Sequence, residues 1–241
     1  MATRARLHKS SGSPARTSDE VLSVKLYNLW QVGNVGIQQM EIRTSSFGEN
    51  YKKSIVDQLN TWLSTRRIVR IIKKNNIQQM ADIGCGYNAE QARATRAMVT
   101  KSIIVDLVLD QSLINSSEFE TYVGLLPHVL TEVPTHSLDL VVLNAVLEHL
   151  DDPIGALENI RLLLKPGGIL FINVPSWLGK RVLEFLAFRL SVCPEEEMED
   201  HRRYYNKREL WLELRRSGFL PSKLRIRLHK FGFAVFAIAK T

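Results

Sequence analysis

Between Met80 and Val174 the chain alternates short, continuously apolar runs with stretches of helical period. The runs are MADIG, ending at Gly84, SIIVD, ending at Asp106, FETYVG, LDLVVLN, ending at Asn144, and GILFINV. A strand that is apolar at nearly every position is buried on both faces, as in a parallel sheet covered by helices. The intervening segments predict helices over Ala89–Val99, Gln111–Asn115, Ala145–Leu150 and Pro153–Leu164. Ahead of them, Tyr51 to Lys74 reads as a helix with Ile55, Leu59, Trp62, Leu63, Val69 and Ile72 near one face. Behind them, NKRELWLELRRSGF is an amphipathic helix stopped by Gly218. SKLRIRLHKFGFAVFAIAK then reads as two antiparallel strands with a turn near Lys230–Gly232. The predicted fold is α/β and Rossmann-like. It is a mostly parallel sheet ending in an antiparallel hairpin, with helices on both faces.

Composition narrows the class without naming a function. At 241 residues, 45% apolar and 24% charged, the chain suits one soluble α/β domain. No apolar run reaches the roughly 18 residues that span a bilayer. Cys85 and Cys193 are the two cysteines, too few for a disulfide framework or a zinc site, so the expected location is a reducing cytoplasm. Residues 1–20 carry Arg, Ser and Thr with a first acid at Asp19, and read as a disordered basic tail or, less readily, a transit peptide. Residues 21–241 then form the folded domain, with 21–75 as an N-terminal helical cap and 175–206 as an insertion. The net charge of +7 is compatible with an anionic partner but is commonly just a basic surface.

Chemistry enters at GCGYNA. A strand running into a glycine turn and then a helix presents free backbone N–H groups, and bare glycine lets a ligand approach them. The G-x-G-x-x-A form also matches a dinucleotide fingerprint. Asp82, two residues before Gly84, would repel a pyrophosphate and attract a ligand bearing an ammonium and a sulfonium, such as S-adenosylmethionine. Asp106, about 22 residues beyond Gly84, closes the next strand where an acid holds a ribose diol. That acid serves either cofactor, so the discrimination rests on Asp82.

ADIGCG, the VD at 105–106, HSLDLVVLNAVLEHLDDP and IRLLLKPGGILFINVPS together resemble the successive signatures of class I S-adenosylmethionine-dependent methyltransferases, nearest to the small-molecule, glycan and quinone-pathway type. The resemblance spans roughly Ile77 to Lys240 and implies a seven-stranded sheet with the last strand antiparallel. It implies that Asp82, Gly84 and Gly86 line the methionine end, that Asp106 binds the ribose and that Leu107 lies against adenine. Asn144 and Ala145 would touch the sulfonium side. Two positions depart from the pattern. Asn88 replaces a third glycine, and ETYVGLL lacks the acid that often meets the adenine amino group, leaving Gly124 and Leu125 to hold adenine.

Transfer to a hydroxyl needs a base, and LEHLDDP offers His149, with Glu148 bracing the loop. His149 either takes the acceptor proton or only shapes the site. Absence of N-P-P-Y or D-P-P-Y after the fourth strand, and of a Pro-Cys pair, disfavours the corresponding base methylations. In the insertion, His201, Arg202, Tyr204 and Tyr205 read either as contacts to a sugar-like acceptor or as a solvated helix entry. RVLEFLAFRL, residues 181–190, is apolar around most of a helix, and suits a lipid-linked acceptor, peripheral membrane contact, a dimer or plain core packing. The leading expectation is methyl transfer to a small-molecule or lipid-linked hydroxyl acceptor with no metal. RNA methylation, favoured slightly by Arg66, Arg67, Arg70, Lys73 and Lys74, ranks behind it, as does a non-catalytic cofactor-binding scaffold.

Overall fold

The computed structural model describes residues 46–49, 55–180 and 203–241. The chain divides into units Met1–Arg43 and Thr44–Thr241, and every described residue belongs to the second. The proposed contacts His201 and Arg202, the helix at 181–190 and the basic tail at 1–20 lie outside the described residues.

Helix α1 (Ile55–Asn75) leads to strand β1 (Gln79–Ile83). There follow α2 (Glu90–Thr95), β2 (Lys101–Asp106), α3 (Gln111–Ile114), β3 (Glu120–Val123) and β4 (Leu138–Asn144). The chain continues through α4 (Pro153–Leu163), β5 (Leu164–Pro175), α5 (Lys207–Arg216), β6 (Leu224–His229) and β7 (Ala234–Lys240). The seven strands lie in the order β3-β2-β1-β4-β5-β7-β6. The first five are parallel, and β7 pairs antiparallel with both β5 and β6. The α/β fold with its antiparallel C-terminal hairpin is therefore the one the pattern predicts.

Alternation along each strand builds two cores. Ala81, Ile83, Val105, Val141, Leu143 and Ile172 face α4 and α5, with Leu157, Ile160, Leu210 and Leu214 packed on them. Met80, Leu140, Val142, Phe171 and Phe236 face α1, covered by Ile68, Ile71 and Ile72. Burying each such side chain contributes about 1.5–3 kcal/mol. The helix facing differs from the sequence reading: Leu59 and Trp62 are about half exposed, at 54% and 52%. The buried stripe starts lower, at Ser64 and Ile68, because only the second half of α1 lies on the sheet.

Two other predicted helices are shorter than expected. Ala89–Val99 becomes α2 followed by a 3-10 turn at Arg96–Met98, and Ala145–Leu150 becomes a 3-10 turn at Leu147–His149. The C-terminal signals hold. Asn206 caps α5 by accepting from Arg208 and Glu209 N–H, Glu209 answers with a bond from Asn206 N–H, and Gly218 ends the helix at φ 86°. No helix among the described residues is long and apolar enough to cross a membrane.

Candidate active site at the strand switch point

The strand order reverses between β1, which continues to β2, and β4, which continues to β5. Open α/β sheets bind ligands in the crevice outside the carboxyl ends of the strands at such a point. Both predicted motifs, the glycine turn after β1 and the segment after β4, open onto it.

The chain leaves β1 through Gly84 and Gly86, with φ of 70° and 75°. A Cβ on Gly84 would lie 2.2 Å from Val146 Cγ2, and one on Gly86 would lie 3.0 Å from the Phe47 carbonyl oxygen. Left-handed backbone and close approach both demand glycine here. Phe47 was not legible as part of the site, yet its carbonyl accepts from Tyr87 N–H at 2.9 Å, tying 46–49 to the turn.

Asp82 and Asp106 sit beneath the turn. Asp82 is 1% exposed, and its Oδ2 has no hydrogen-bond partner among the described residues. Burial, reinforced by the Asp106 charge, pushes its carboxyl up to about 7, and the Ala92 N–H in α2 pulls the other way. A buried carboxylate held at that cost is relieved by a cation. The Asp106 carboxylate accepts from Gly86 N–H at 2.7 Å and from Leu107 N–H at 2.7 Å. It also accepts from the Ser46 hydroxyl, which in turn accepts from Val108 N–H at 2.7 Å. A carboxylate offers roughly four acceptor sites, so about one remains for a ligand while Ser46 stays. Cys85, in the same turn, has its thiol pushed up by burial and by both carboxylates, which keeps it protonated. Gly124 donates to the Asp106 carbonyl oxygen at 3.0 Å, which sets Gly124 and Leu125 beside the end of β2.

At the end of β4, the Asn173 side-chain amide donates to Asn144 Oδ1 at 2.9 Å, leaving the buried Asn173 Oδ1 without a partner. Ala145 is exposed and held at φ 57° by its N–H bond to the Asn173 carbonyl, at 2.8 Å. An alanine kept in that region marks backbone that its surroundings over-determine. The Leu147–His149 turn follows, with Glu148 fully buried and His149 half-buried.

The acceptor side is only partly as expected. Tyr205 is 1% exposed and packs in the core with Leu210, Leu214 and Phe219, so the proposed stacking face of that ring is spent on packing. Tyr204 is also buried, 5.8 Å from the Trp177 ring and 5.0 Å from Lys180 Nζ. The half-exposed aromatic is instead Trp177, whose indole N–H donates to Glu209 at 3.1 Å. Trp177 stands two residues after β5 in VPSWLG, a position that could have flagged it. Lys230, from the β6–β7 turn, is pushed down to about 8 by burial, opposed by the charge of Glu148. Nothing in its local sequence distinguishes it from a turn lysine.

The observed elements fit S-adenosylmethionine on three counts. The glycine turn admits backbone approach, Asp82 lacks a counter-cation among the described residues, and Asp106 retains acceptor capacity at the end of β2. Comparison with known proteins agrees. A family model described as a methyltransferase domain matches residues 65–224. The ubiquinone biosynthesis O-methyltransferase of Vibrio cholerae is 27% identical over 143 residues, covering 55% of this chain and 57% of the relative. The chain thus spans little more than half the length of that relative. A SAM-dependent methyltransferase structure from Archaeoglobus fulgidus superposes with a TM-score of 0.57 at 18% identity, covering 75% of this chain and 94% of that one. The trans-methyltransferase CalH in complex with SAH superposes with a TM-score of 0.54 at 18% identity, covering 77% and 59%. These two likenesses speak to the fold, and the family match carries the assignment: the chain belongs to the methyltransferase domain family.

Proposed function

We propose that the protein transfers a methyl group from S-adenosylmethionine to a hydroxyl of a small-molecule or lipid-linked acceptor. The observation that carries this reading is the buried, unpartnered Asp82 oxygen beneath the glycine turn, a feature suited to an ammonium and hostile to a pyrophosphate. Asp82, Gly84 and Gly86 would hold the methionine end, Asp106 the ribose, Leu107, Gly124 and Leu125 the adenine, and Asn144 and Ala145 the sulfonium side. The Vibrio cholerae relative is an O-methyltransferase by name, which supports oxygen as the acceptor atom.

When bound, the cofactor supplies an electrophilic methyl on a sulfonium, a good leaving group. The protein's work is then to position, desolvate and deprotonate. Asn144 and the constrained Ala145 fix the rim of β4, so that the reactants meet at a defined distance. His149, two turn residues beyond the buried Leu147, takes the acceptor proton as general base. Buried Glu148 anchors that turn, and the nearby Lys230 ammonium offsets its charge. Trp177 offers an exposed aromatic face to a ring-bearing acceptor, in the place first assigned to the tyrosines.

The test is methyl transfer from labelled cofactor to lipid, glycan and RNA fractions, run beside the His149→Ala variant. Label in a lipid or glycan hydroxyl, with turnover lowered by about 10²–10⁴-fold in the variant and cofactor affinity unchanged, is the expected result. Label confined to RNA would replace the acceptor class. An unchanged rate in the variant would reassign His149 to packing.

A further inference from the structure

At the β6–β7 edge of the sheet, beyond the Asn144–Asn173 pair with which Phe236 of β7 is in register, cations gather without counter-charges among the described residues. Arg225, Arg227 and His229 alternate along β6 and pair with Ile238, Phe236 and Ala234 of β7, so they share the sheet face covered by α1. From α1, the Arg67 guanidinium lies 3.9 Å over the Phe236 ring, and the His229 ring meets the same phenyl edge-on at 5.8 Å. Arg67 and His229 therefore converge on one side chain, with Arg227 opposite it in register. Two polar atoms are left buried and unpartnered at this point, Arg67 Nε and His229 Nδ1.

Among the described residues, the charges that bear on Arg67 and His229 are all positive. Arg67 is pushed down by burial and by Arg70 and Arg227. His229 is pushed down to about 4 by burial, Arg67 and Lys230. Burying a guanidinium N–H without an acceptor, amid like charges, costs free energy that a folded chain normally removes with a carboxylate. Among the described residues no carboxylate acts on either group. An anion removes all three costs together: it accepts from Arg67 Nε and His229 Nδ1, and it screens the arginines from one another. Planar guanidinium forks and a ring N–H gathered around one side chain suit the several oxygens of a tetrahedral anion.

We propose that Arg67, Arg70, Arg227 and His229 form a binding site for a phosphate group, made of residues that the methyl-transfer site does not use. The group comes either from free phosphate or a small phosphorylated compound, or from a phosphorylated lipid headgroup. The chemistry is the same for each source, and the assay separates them.

The full-length chain is titrated with inorganic phosphate at low salt by calorimetry, with acetate as the control anion, while the histidine ring resonances are followed by NMR. In parallel it is sedimented with vesicles of phosphatidic acid in phosphatidylcholine, and with phosphatidylcholine alone. Saturable phosphate binding that shifts the His229 resonances, and that weakens about tenfold or more in Arg67→Gln and Arg227→Gln, supports a free-phosphate source. Binding to the phosphatidic acid vesicles alone, lost in the same variants, supports the lipid source. Arg227 is exposed at the sheet edge, so Arg227→Gln carries the test if removing Arg67 from Phe236 unfolds the chain. Phosphate no better than acetate and no vesicle binding would overturn the proposal, as would binding that both variants retain at full strength.

Discussion

Replacing Asp82 by Asn should move stability and cofactor binding in opposite directions. The carboxyl rises from 3.8 to about 7 in the folded chain, a shift of about three units. Each unit is worth about 1.4 kcal/mol, so the ionised form carries a folding penalty of up to roughly 4 kcal/mol. The sign follows from linkage. Below the unfolded value both states keep the proton and there is no penalty. As pH rises toward the folded value, the unfolded chain releases a proton that the native chain retains, and native stability falls. Above about 7 both are ionised and the penalty is constant. Asn has the same shape and no charge, so Asp82→Asn should match the wild type near pH 4 and exceed it by roughly 1–4 kcal/mol at pH 8, water in the crevice reducing the gain. Binding should change the other way. Losing a charge-assisted bond to the ligand ammonium costs about 1.5–3 kcal/mol, roughly 10–100-fold in Kd. Urea denaturation across that pH range, paired with calorimetry of S-adenosylmethionine, reads both. A variant that is less stable than wild type at pH 8, or that keeps wild-type affinity, refutes the account of Asp82.

Two other substitutions probe the turn and its cover. Gly84→Ala adds a Cβ 2.2 Å from Val146 Cγ2 at a φ of 70°, and should destabilise by about 2–4 kcal/mol from overpacking and left-handed strain together. Trimming the neighbour in Gly84→Ala/Val146→Ala should recover the packing share and not the backbone share; equal denaturation midpoints for single and double variants would contradict this. Ser46→Ala frees an acceptor site on Asp106, and should leave cofactor binding equal or tighter by up to about 1 kcal/mol. A calorimetric loss of tenfold or more would show that Ser46 holds the ligand rather than competing for Asp106.

The parallel core was legible because strands buried on both faces write themselves as unbroken apolar runs, as LDLVVLN and GILFINV do. The glycine turn and its two acids were legible for a similar local reason: close backbone approach and a strand-end carboxylate each leave a mark within a few residues. What failed was set by long-range packing. Tyr205 looks like a surface aromatic beside Arg202 and Arg203, yet the isolated bridge between Ser176 and Tyr205 carries it into the core. Leu59 and Trp62 continue the apolar stripe of α1 correctly as a pattern, but the sheet ends before it reaches them. Ser46 and Phe47 have no motif of their own. Their role arises from contact with Asp106 and Gly86, 60 and 39 positions away in sequence by subtraction of the residue numbers.

The net charge of +7 hides an arrangement that bears on what the protein can bind. The acids Asp82 and Asp106 lie on β1 and β2, while Arg225 and Arg227 lie on β6 and Arg67 of α1 lies over Phe236 of β7. From β1 the sheet steps through β4, β5 and β7 to β6, four intervals of about 4.8 Å, so Asp82 stands roughly 19 Å from the β6 arginines. That distance exceeds the Debye length of about 8 Å at physiological ionic strength, so the basic edge scarcely offsets the acidic crevice. The crevice therefore keeps its preference for a cation despite the overall positive charge. The basic edge, by the same reasoning, keeps its preference for an anion without interference from Asp82. A basic protein with a cation-seeking site is no contradiction once the charges are assigned to separate strands of one sheet.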